Sequence, residues 1–451
     1  MEQQSKLKPS FDDRELVKLN LNLVDTHYQR GRTNVKLKNY REAIRDFTMV
    51  LELEPQNIKA YLIRGYSYGE IKDFVREIAD YSQAIVLNPN LPQAYRSRGY
   101  AYALLQQYPK AIADLNRAVK LNPAYEQAYF NRASIYRLLK QHHLALANYT
   151  RIISLNPQNT SAYYHRGYIY HYLQRYELAI DNFSTVIQHD SNCALAYRCR
   201  GYAYFKLKQY HKAVIDYSQA ILLQPDDWQS LYYQGHAYRE LKDYSNARTN
   251  YSEVITLQPK LTSVYQDRGY VCGRLKDFKA AIADYTQAIE YSPNNYINYY
   301  HLGNCYSLLQ QYQQAIQNYT KCIELEQNDD RPYYNRAIAY NSLQEYEKAI
   351  NDYNLALRVK GQSPSIYNNR GIAYQNLEQY SLAIADYTQA IFFNSNYASA
   401  YFNRAILHRR LENYAKSSQD LVHAQNLFRK QGKISLAQKA NRALEQLKHH
   451  Q

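Results

Sequence analysis

Arginine recurs at one position of a 34-residue frame, and a row of guanidinium groups can bind nucleic-acid phosphates. Ten copies of the frame carry it, as Arg30, Arg64, Arg98, Arg132, Arg166, Arg200, Arg268, Arg336, Arg370 and Arg404. Eight of these are followed 16 residues later by an aspartate, as Asp46, Asp80, Asp114, Asp216, Asp284, Asp352, Asp386 and Asp420. Where Gln234 or Leu302 replaces the arginine, the later residue is Asn250 or Asn318. The co-occurrence favours internal ion pairs over a phosphate-binding stripe, and we predict them at Arg64–Asp80, Arg98–Asp114, Arg268–Asp284 and Arg370–Asp386.

Motifs for catalysis or metal binding fail on their context. The sequence "GYSYG" at 65–69 has the form of a nucleophile elbow, which needs a strand before Ser67 and a helix after it, whereas Ser67 lies inside a helical pattern. His142 and His143 are adjacent and therefore diverge on a helix. The chain has no H-E-x-x-H sequence, closely spaced Cys/His set or glycine-rich phosphate loop. We predict a protein that is not an enzyme and that uses no cofactor or metal.

The composition of the chain and its first residues indicate the cellular compartment in which we expect the protein. The 451 residues include 52 Tyr, 11 Phe and 1 Trp, and the formal net charge is +15. Five cysteines without a C-x-x-C pair favour a reducing compartment. The first residues show no basic segment followed by an apolar run, and no stretch approaches the roughly 18 apolar residues of a membrane span. We expect a cytoplasmic protein that does not contact a membrane.

The same phrase is repeated along the chain. "IADYTQAI" occurs at 282–289 and 384–391, and "IADYSQAI" at 78–85, at separations that are multiples of 34. Counted in repeats that begin at residue 24, position 8 is Gly in nine and Ala in three, position 20 is Ala in ten, position 24 is aromatic in ten and position 32 is Pro in seven. Two segments of each repeat have apolar residues three and four apart, which predicts two amphipathic helices joined by a short turn. A small residue at position 8 inside a helix indicates close approach of a neighbouring helix, and a single hairpin must stack on others to bury its apolar face.

These positions resemble the motif of the tetratricopeptide repeat family, most closely its bacterial type with "NRGxAY" and "AIADYxQAI". The resemblance implies an all-α fold, a right-handed superhelical α-solenoid of about twelve repeats with a C-terminal capping helix. The expected organisation is a partly helical lead-in at 1–23, repeats at 24–57, 58–91, 92–125, 126–159, 160–193, 194–227, 228–261, 262–295, 296–329, 330–363, 364–397 and 398–431, and a capping helix at 432–451.

In this family the first helices of the repeats line a concave groove, and positions 2, 5, 6, 9, 12 and 13 face it. By that resemblance the partner-binding residues are Asn131, Asn335, Asn369, Asn403, Tyr164, Tyr168, Tyr232, Tyr300, Tyr334, His165, Arg96, Arg137, Arg198, Arg239 and Arg274. A ladder of asparagines can hold the backbone of an extended peptide without reading its sequence. The alternatives are a solvated polar position for the asparagines and, for half of the aromatics, packing between repeats.

Cations outnumber carboxylates at the groove positions, which favours an acidic partner. We therefore predict a non-enzymatic, monomeric scaffold that binds an extended acidic peptide segment of another protein. A second hypothesis is single-stranded nucleic-acid binding through the basic, Tyr-rich groove, with a steep dependence on salt. A third is a self-assembling array, which the polar C-terminal helix disfavours.

Overall fold

The computed structural model describes residues 13–448, which form twenty-five α-helices and no strand, so the all-α prediction is confirmed. The odd-numbered helices are α1 (Asp13–Lys36), α3 (Ile58–Glu70), α5 (Pro92–Leu104), α7 (Glu126–Leu138), α9 (Thr160–Tyr172), α11 (Ala194–Lys206), α13 (Trp228–Glu240), α15 (Thr262–Arg274), α17 (Tyr296–Leu308), α19 (Asp330–Ser342), α21 (Pro364–Asn376), α23 (Ala398–Arg410) and α25 (Ile434–Lys448). The even-numbered helices are α2 (Tyr40–Leu53), α4 (Phe74–Leu87), α6 (Tyr108–Leu121), α8 (His142–Leu155), α10 (Tyr176–His189), α12 (Tyr210–Leu223), α14 (Tyr244–Leu257), α16 (Phe278–Tyr291), α18 (Tyr312–Leu325), α20 (Tyr346–Lys360), α22 (Tyr380–Phe393) and α24 (Tyr414–Lys430).

Each first helix turns into its partner through a residue in the left-handed conformation. At Gln310 φ is 59°, its N–H bonds to the carbonyl of Ser307 at 3.0 Å, and the N–H of Gln311 bonds to that of Tyr306 at 2.9 Å. These two bonds satisfy carbonyls that the end of α17 would leave unpaired. The same geometry recurs at Lys38, Lys72, Gln106, Lys140, Gln174, Lys208, Lys242, Lys276, Gln344, Glu378 and Glu412. A three-residue reversal therefore fixes each hairpin.

The small residue at position 8 is where the two helices of a repeat approach most closely. A Cβ atom on Gly303 would lie 2.7 Å from the ring of Tyr319, and one on Gly371 would lie 2.7 Å from the ring of Tyr387. These rings are buried residues of position 24. The prediction of close helix approach is confirmed, and the steric reason is the aromatic side chain on the facing helix.

The helices pack into two compact units, Met1–Leu223 and Gln224–Gln451. In both, the second helix of each repeat packs on its hairpin partner and, where the next repeat belongs to the same unit, on the first helix of that repeat. The core is accordingly a row of local clusters, such as the one made by Ala133, Ala145, Tyr149, Ile152, Ala162 and Ile169. The paired-helix prediction is confirmed in each unit.

The two ends of the described chain differ from the repeats between them. In the lead-in predicted at 1–23, α1 begins at Asp13, and residues 1–12 lie outside the described part. At the other end α25 packs on α24, where Ala440 and Leu447 are buried against Leu421. Residues 449–451 of the expected capping segment are also outside the described range.

Candidate functional site

The predicted partner-binding residues all lie on odd-numbered helices, from α5 to α23. Several of these helices contact the odd-numbered helix of the next repeat, including α5 with α7, α9 with α11, and the series α15, α17, α19, α21 and α23. We call the surface of positions 5, 6, 9, 12 and 13 on these helices the groove face, and describe it within each compact unit.

In the C-terminal compact unit the three asparagines of consecutive repeats are held by hydrogen bonds to the preceding repeat. Asn335 donates its amide N–H to the Oδ1 of Asn304 at 2.9 Å, and Asn369 donates to the hydroxyl of Tyr334 at 3.0 Å. Asn403 donates to the Oδ1 of Asn368 at 3.1 Å. At least one amide N–H of each side chain is therefore held inside the protein. The carbonyl oxygen of Asn369 also accepts one bond from Asn368 Nδ2 at 3.1 Å and keeps a second lone pair, and the carbonyl oxygens are the acceptors that the row offers to a ligand.

Asn131 in the N-terminal compact unit has a different environment. Its Nδ2 is buried and has no hydrogen-bond partner within the described residues. The corresponding residue of the next repeat is His165, whose ring stacks on Tyr149 and meets Phe130 edge-on. Burial and the nearby Arg137 lower the pKa of His165, so its ring is neutral and packs as an aromatic. The asparagine row of the other unit has no equivalent here.

The predicted aromatics of the groove face divide into supporting and exposed rings. Tyr232 donates its hydroxyl to Asp267 at 2.7 Å, and the hydroxyls of Tyr300 and Tyr334 accept bonds from Asn335 and Asn369. Tyr164 packs on His165 and Phe183. Tyr168 is 44% exposed, and Tyr66, Tyr100 and Tyr270 are exposed to a similar extent. These four rings, together with Tyr172 at position 13, which is 58% exposed, are available for contact with a partner.

The predicted groove cations are partly neutralised. Arg239 forms an ion pair with Asp267 at 2.7 Å, and Arg96 donates to Ser97 at 2.9 Å. Arg274 is exposed and lies over the ring of Tyr244 at 5.4 Å. Arg137 has a buried Nε without a partner in the described chain, and Arg198 is half-buried on α11.

A cavity of about 540 Å³ opens on the groove face of the C-terminal unit. Its lining includes Arg239, Asp267, Tyr270, Asn298 and His301. Asn298 is fully buried at a position where six of the twelve repeats have alanine, and it accepts a bond from Gln266 at 2.6 Å. The sequence placed Arg239 on the groove face but did not single out Asn298.

The structure joins the predicted arginine–aspartate pairs. The guanidinium of Arg98 donates to both oxygens of Asp114, at 2.7 and 2.8 Å, and Arg64 does the same to Asp80. Arg268 and Arg370 bind Asp284 and Asp386 in the same two-pronged way. Hydrogen bonding to Asp114 raises the pKa of Arg98. These arginines hold the two helices of a repeat together.

A third bond of the same arginines was missed from the sequence. Arg98 Nη1 donates to the hydroxyl of Ser82, and Arg336 Nη1 to that of Thr320, both in the preceding repeat. Position 25, where these acceptors lie, is a hydroxyl or amide residue in eleven repeats: Thr48, Ser82, Asn116, Thr150, Ser184, Ser218, Ser252, Thr286, Thr320, Asn354 and Thr388. This regularity was the signal in the sequence that could have indicated the third bond. The bonds themselves show that the arginine also links successive repeats.

In two repeats the arginine is held less firmly by the second helix of its own repeat. Arg132 and Arg166 face Asn148 and Asn182, and each Nε donates one bond, at 2.9 and 2.8 Å. Burial lowers the pKa of Arg132, because no carboxylate balances its charge.

Within residues 13–448, no helix has the length and apolar composition that crossing a bilayer requires. Over the same range, no three His, Cys, Asp or Glu side chains are grouped so as to hold a metal ion. No curated protein sequence matches the chain.

Family models match most of the chain. One described as "Tetratricopeptide repeat" matches 24–57, 126–159, 229–261 and 262–295, and a second with the same description matches 194–227, 298–329 and 364–397. One described as "TPR repeat" matches 99–140, 167–208 and 339–378. Together the matched segments cover well over half of the sequence.

The chain is also similar, at low identity, to solved structures. The C-terminal part of a TPR repeat-containing protein from Cytophaga hutchinsonii is 18% identical, with 53% of this chain and 98% of that chain covered and a TM-score of 0.49. Yeast Tom70 is 16% identical, with 96% of both chains covered and a TM-score of 0.37. YrrB, titled a TPR protein with an unusual peptide-binding site, is 23% identical, with 43% of this chain and 97% of that chain covered and a TM-score of 0.38.

Proposed function

The chain belongs to the tetratricopeptide repeat family, and from this premise we propose that its groove face binds an extended, acidic segment of another protein. The family's fold is that of a protein–protein interaction scaffold. The proposed role is binding without catalysis, by a monomeric protein of the cytoplasm. The five cysteines form no disulfide with one another, which is consistent with a reducing compartment. We also propose the division into twelve repeats and a capping helix as its domain organisation.

The observation that carries the proposal is the fixed orientation of Asn335, Asn369 and Asn403. One N–H or more of each side chain is held by the preceding repeat, so their carbonyl oxygens are oriented before any ligand arrives. An extended peptide has backbone N–H groups that these oxygens can accept, and its side chains take no part in that contact. Preorganisation reduces the entropy lost on binding.

The acidic character of the ligand is supported by cations that lack a carboxylate partner. Arg274 and Arg409 have no carboxylate within 4 Å among the described residues, and the chain as a whole carries a formal charge of +15. Such a surface accelerates encounter with an acidic partner and does so less at high salt.

Single-stranded nucleic acid is a second candidate because of the exposed rings of Tyr66, Tyr100, Tyr168 and Tyr270 on the groove face. Bases stack on such rings. The engagement of eight arginines by aspartates weakens this candidate, since those guanidinium groups are not available to phosphates.

The test is selection of peptides from a displayed random library by the full chain. We expect enrichment of acidic peptides. The affinity should be lowered about tenfold or more in the variant Asn335→Ala, Asn369→Ala, Asn403→Ala, because it loses three side-chain oxygens that accept from the backbone N–H groups of the peptide. The matched control is Asn294→Ala with Asn426→Ala, two exposed asparagines away from the groove face. Thermal unfolding of each variant separates lost binding from lost structure.

Binding of a single-stranded oligonucleotide is measured in parallel at 50 and 200 mM salt. Selection of no peptide, together with tight oligonucleotide binding that falls steeply with salt, would replace the peptide proposal by the nucleic-acid one. A molecular mass that grows with concentration would instead favour self-assembly.

A further inference from the structure

The second repeat has a buried carboxylate where ten repeats have alanine. Glu77 on α4 occupies position 20 and is only 7% exposed. Opposite it stands Gly69 on α3, a glycine outside the recurrent position 8. A Cβ atom at Gly69 would lie 2.8 Å from the Oε2 of Glu77, so a side chain there would require the carboxylate to move from its observed position. The two departures from the repeat pattern therefore fit each other, and the absence of a side chain at residue 69 makes room for the acid.

Glu77 faces a cavity of about 250 Å³ on the groove face of the N-terminal compact unit. Aromatic rings form much of its wall, from Tyr66, Phe74, Tyr81 and Tyr100, and Leu104 adds an aliphatic surface. Tyr66 and Tyr100 are also partly open to solvent, at 44% and 46% exposure. The charged groups of the lining are the carboxylates of Glu70 and Glu77 and the guanidinium of Arg96.

Two groups of this cavity have unmet hydrogen-bonding capacity. The carboxylate of Glu77 accepts no hydrogen bond and forms no ion pair within the described chain. The alanine found at this position in ten other repeats has no side-chain group that requires a hydrogen bond. The Nε–H of Arg96 is buried and donates to no described acceptor, although its Nη2 bonds to Ser97. A buried carboxylate and a buried N–H donor without partners destabilise the unliganded protein. A ligand that supplies a partner to each of them removes this cost, which favours binding.

We propose that this cavity binds a lysine side chain of a peptide, with the ammonium group on Glu77 and Glu70 and the aliphatic stem between Tyr66 and Tyr100. Lysine combines a cation with a long apolar stem, which matches carboxylates placed at the end of an aromatic wall. A peptide also carries backbone carbonyl oxygens, which supply an acceptor for the Nε–H of Arg96. The site lies in the N-terminal compact unit and does not depend on the asparagine row of the other unit.

The electrostatics of the cavity provide a second measurable property. Burial and the neighbouring Glu70 raise the pKa of Glu77 to about 7, while Arg96 opposes that rise. The other titratable groups around it are Tyr66 on α3, Tyr81 on α4 and Tyr100 on α5. Near pH 7 part of the Glu77 population is therefore protonated, and an ammonium group that binds there drives the proton off.

The experiment selects from a displayed random-peptide library with the full chain and with Glu77→Ala. Alanine is the residue of ten other repeats at this position, so the variant is expected to fold. We expect the wild-type chain to enrich peptides that contain lysine and the variant to lose that enrichment. One enriched peptide is then synthesised unmodified, with its lysine acetylated, and with its N-terminus acetylated. Lysine acetylation should weaken binding to the wild-type chain about tenfold or more and leave binding to Glu77→Ala unchanged.

The matched control is Glu52→Gln, which removes an exposed carboxylate of α2 and should bind as the wild-type chain does. Calorimetry of the unmodified peptide in two buffers of different ionisation enthalpy should report proton release near pH 7, absent in Glu77→Ala. A wild-type chain that enriches no lysine, or an affinity unaffected by lysine acetylation, overturns the proposal. Loss of affinity on N-terminal acetylation instead would assign the cavity to a peptide amino terminus. Peptides that depend on the three asparagines but not on Glu77 would leave the groove proposal standing and this one refuted.

Discussion

A single arginine per repeat connects three helices. Arg336 binds Asp352 of its own repeat through Nε and Nη2, at 2.7 and 2.8 Å, and the hydroxyl of Thr320 in the preceding repeat through Nη1, at 2.9 Å. The ring of Tyr333 lies 6.0 Å from the same guanidinium. All five donors lie in one plane, which lets one side chain serve several partners at once, and lysine has no equivalent geometry.

The repeat of Arg132 offers a direct test of this arrangement. Replacing Asn148 with aspartate should raise the free energy of unfolding by about 1 kcal/mol or more, because a buried guanidinium gains a carboxylate. At the equivalent Asp216, Asp284 and Asp386, burial raises the pKa of the carboxyl although an arginine is paired with it. Urea unfolding of the variant and the wild-type chain at pH 7 measures the gain.

Asn182→Asp should behave in the same way, since Arg166 has the same single bond. Asn426→Asp on an exposed face of α24 should change little. A lower urea midpoint for Asn148→Asp at pH 7 would show that loss of the bond from Asn148 Nδ2 to the Leu144 carbonyl outweighs the new ion pair.

At the scale of the helix, the repeated turn carries a strain that the chain does not relieve. Twelve residues adopt φ between 57° and 64°, and all are lysine, glutamine or glutamate. Glycine is the residue that adopts this conformation without a Cβ penalty. The Schellman bonds of each turn nevertheless hold the backbone there.

Gln310→Gly should therefore stabilise the chain by about 0.5–1 kcal/mol, because the left-handed turn is kept and its steric cost is removed. The matched control is Gln317→Gly, the same substitution at an exposed position inside α18, which should cost about 1 kcal/mol. Unfolding midpoints of the two variants should shift in opposite directions. Equal shifts would mean that the extra freedom of glycine in the unfolded chain dominates at both positions.

At the scale of the molecule, a stack of hairpins leaves an apolar face on its last repeat. In the C-terminal compact unit α25 covers this face of α24, where Leu421 and Phe428 are buried. Ala440 contributes to the cover and is fully buried beside Ala405 and Leu421. A terminal helix with one polar side is what keeps such a face from contacting other molecules.

Ala440→Glu should lower the unfolding midpoint of the chain and increase its association, because a carboxylate forced into this cluster displaces α25 and exposes apolar side chains. Light scattering at several protein concentrations measures the association. Lys439→Glu, at the exposed neighbouring residue, should leave both properties unchanged. A monomeric Ala440→Glu chain with an unchanged midpoint would mean that α25 is not a cap.

The period of 34, the paired helices and the pairing of arginine with aspartate could all be read from the sequence, because each packing position imposes the same residue type in every repeat. The role of position 25 was visible as a pattern, but its partner lies in another repeat, and only packing shows which repeats meet. The orientation of Asn335, Asn369 and Asn403 was likewise undetermined, because a side chain's hydrogen-bond direction depends on neighbours such as Tyr334 and Asn304. The substitution of Glu77 for alanine was evident in the sequence. Only the tertiary structure decided that the Glu77 carboxylate lies next to Gly69 in the wall of a cavity, since the two residues belong to different helices whose approach sets the space between them.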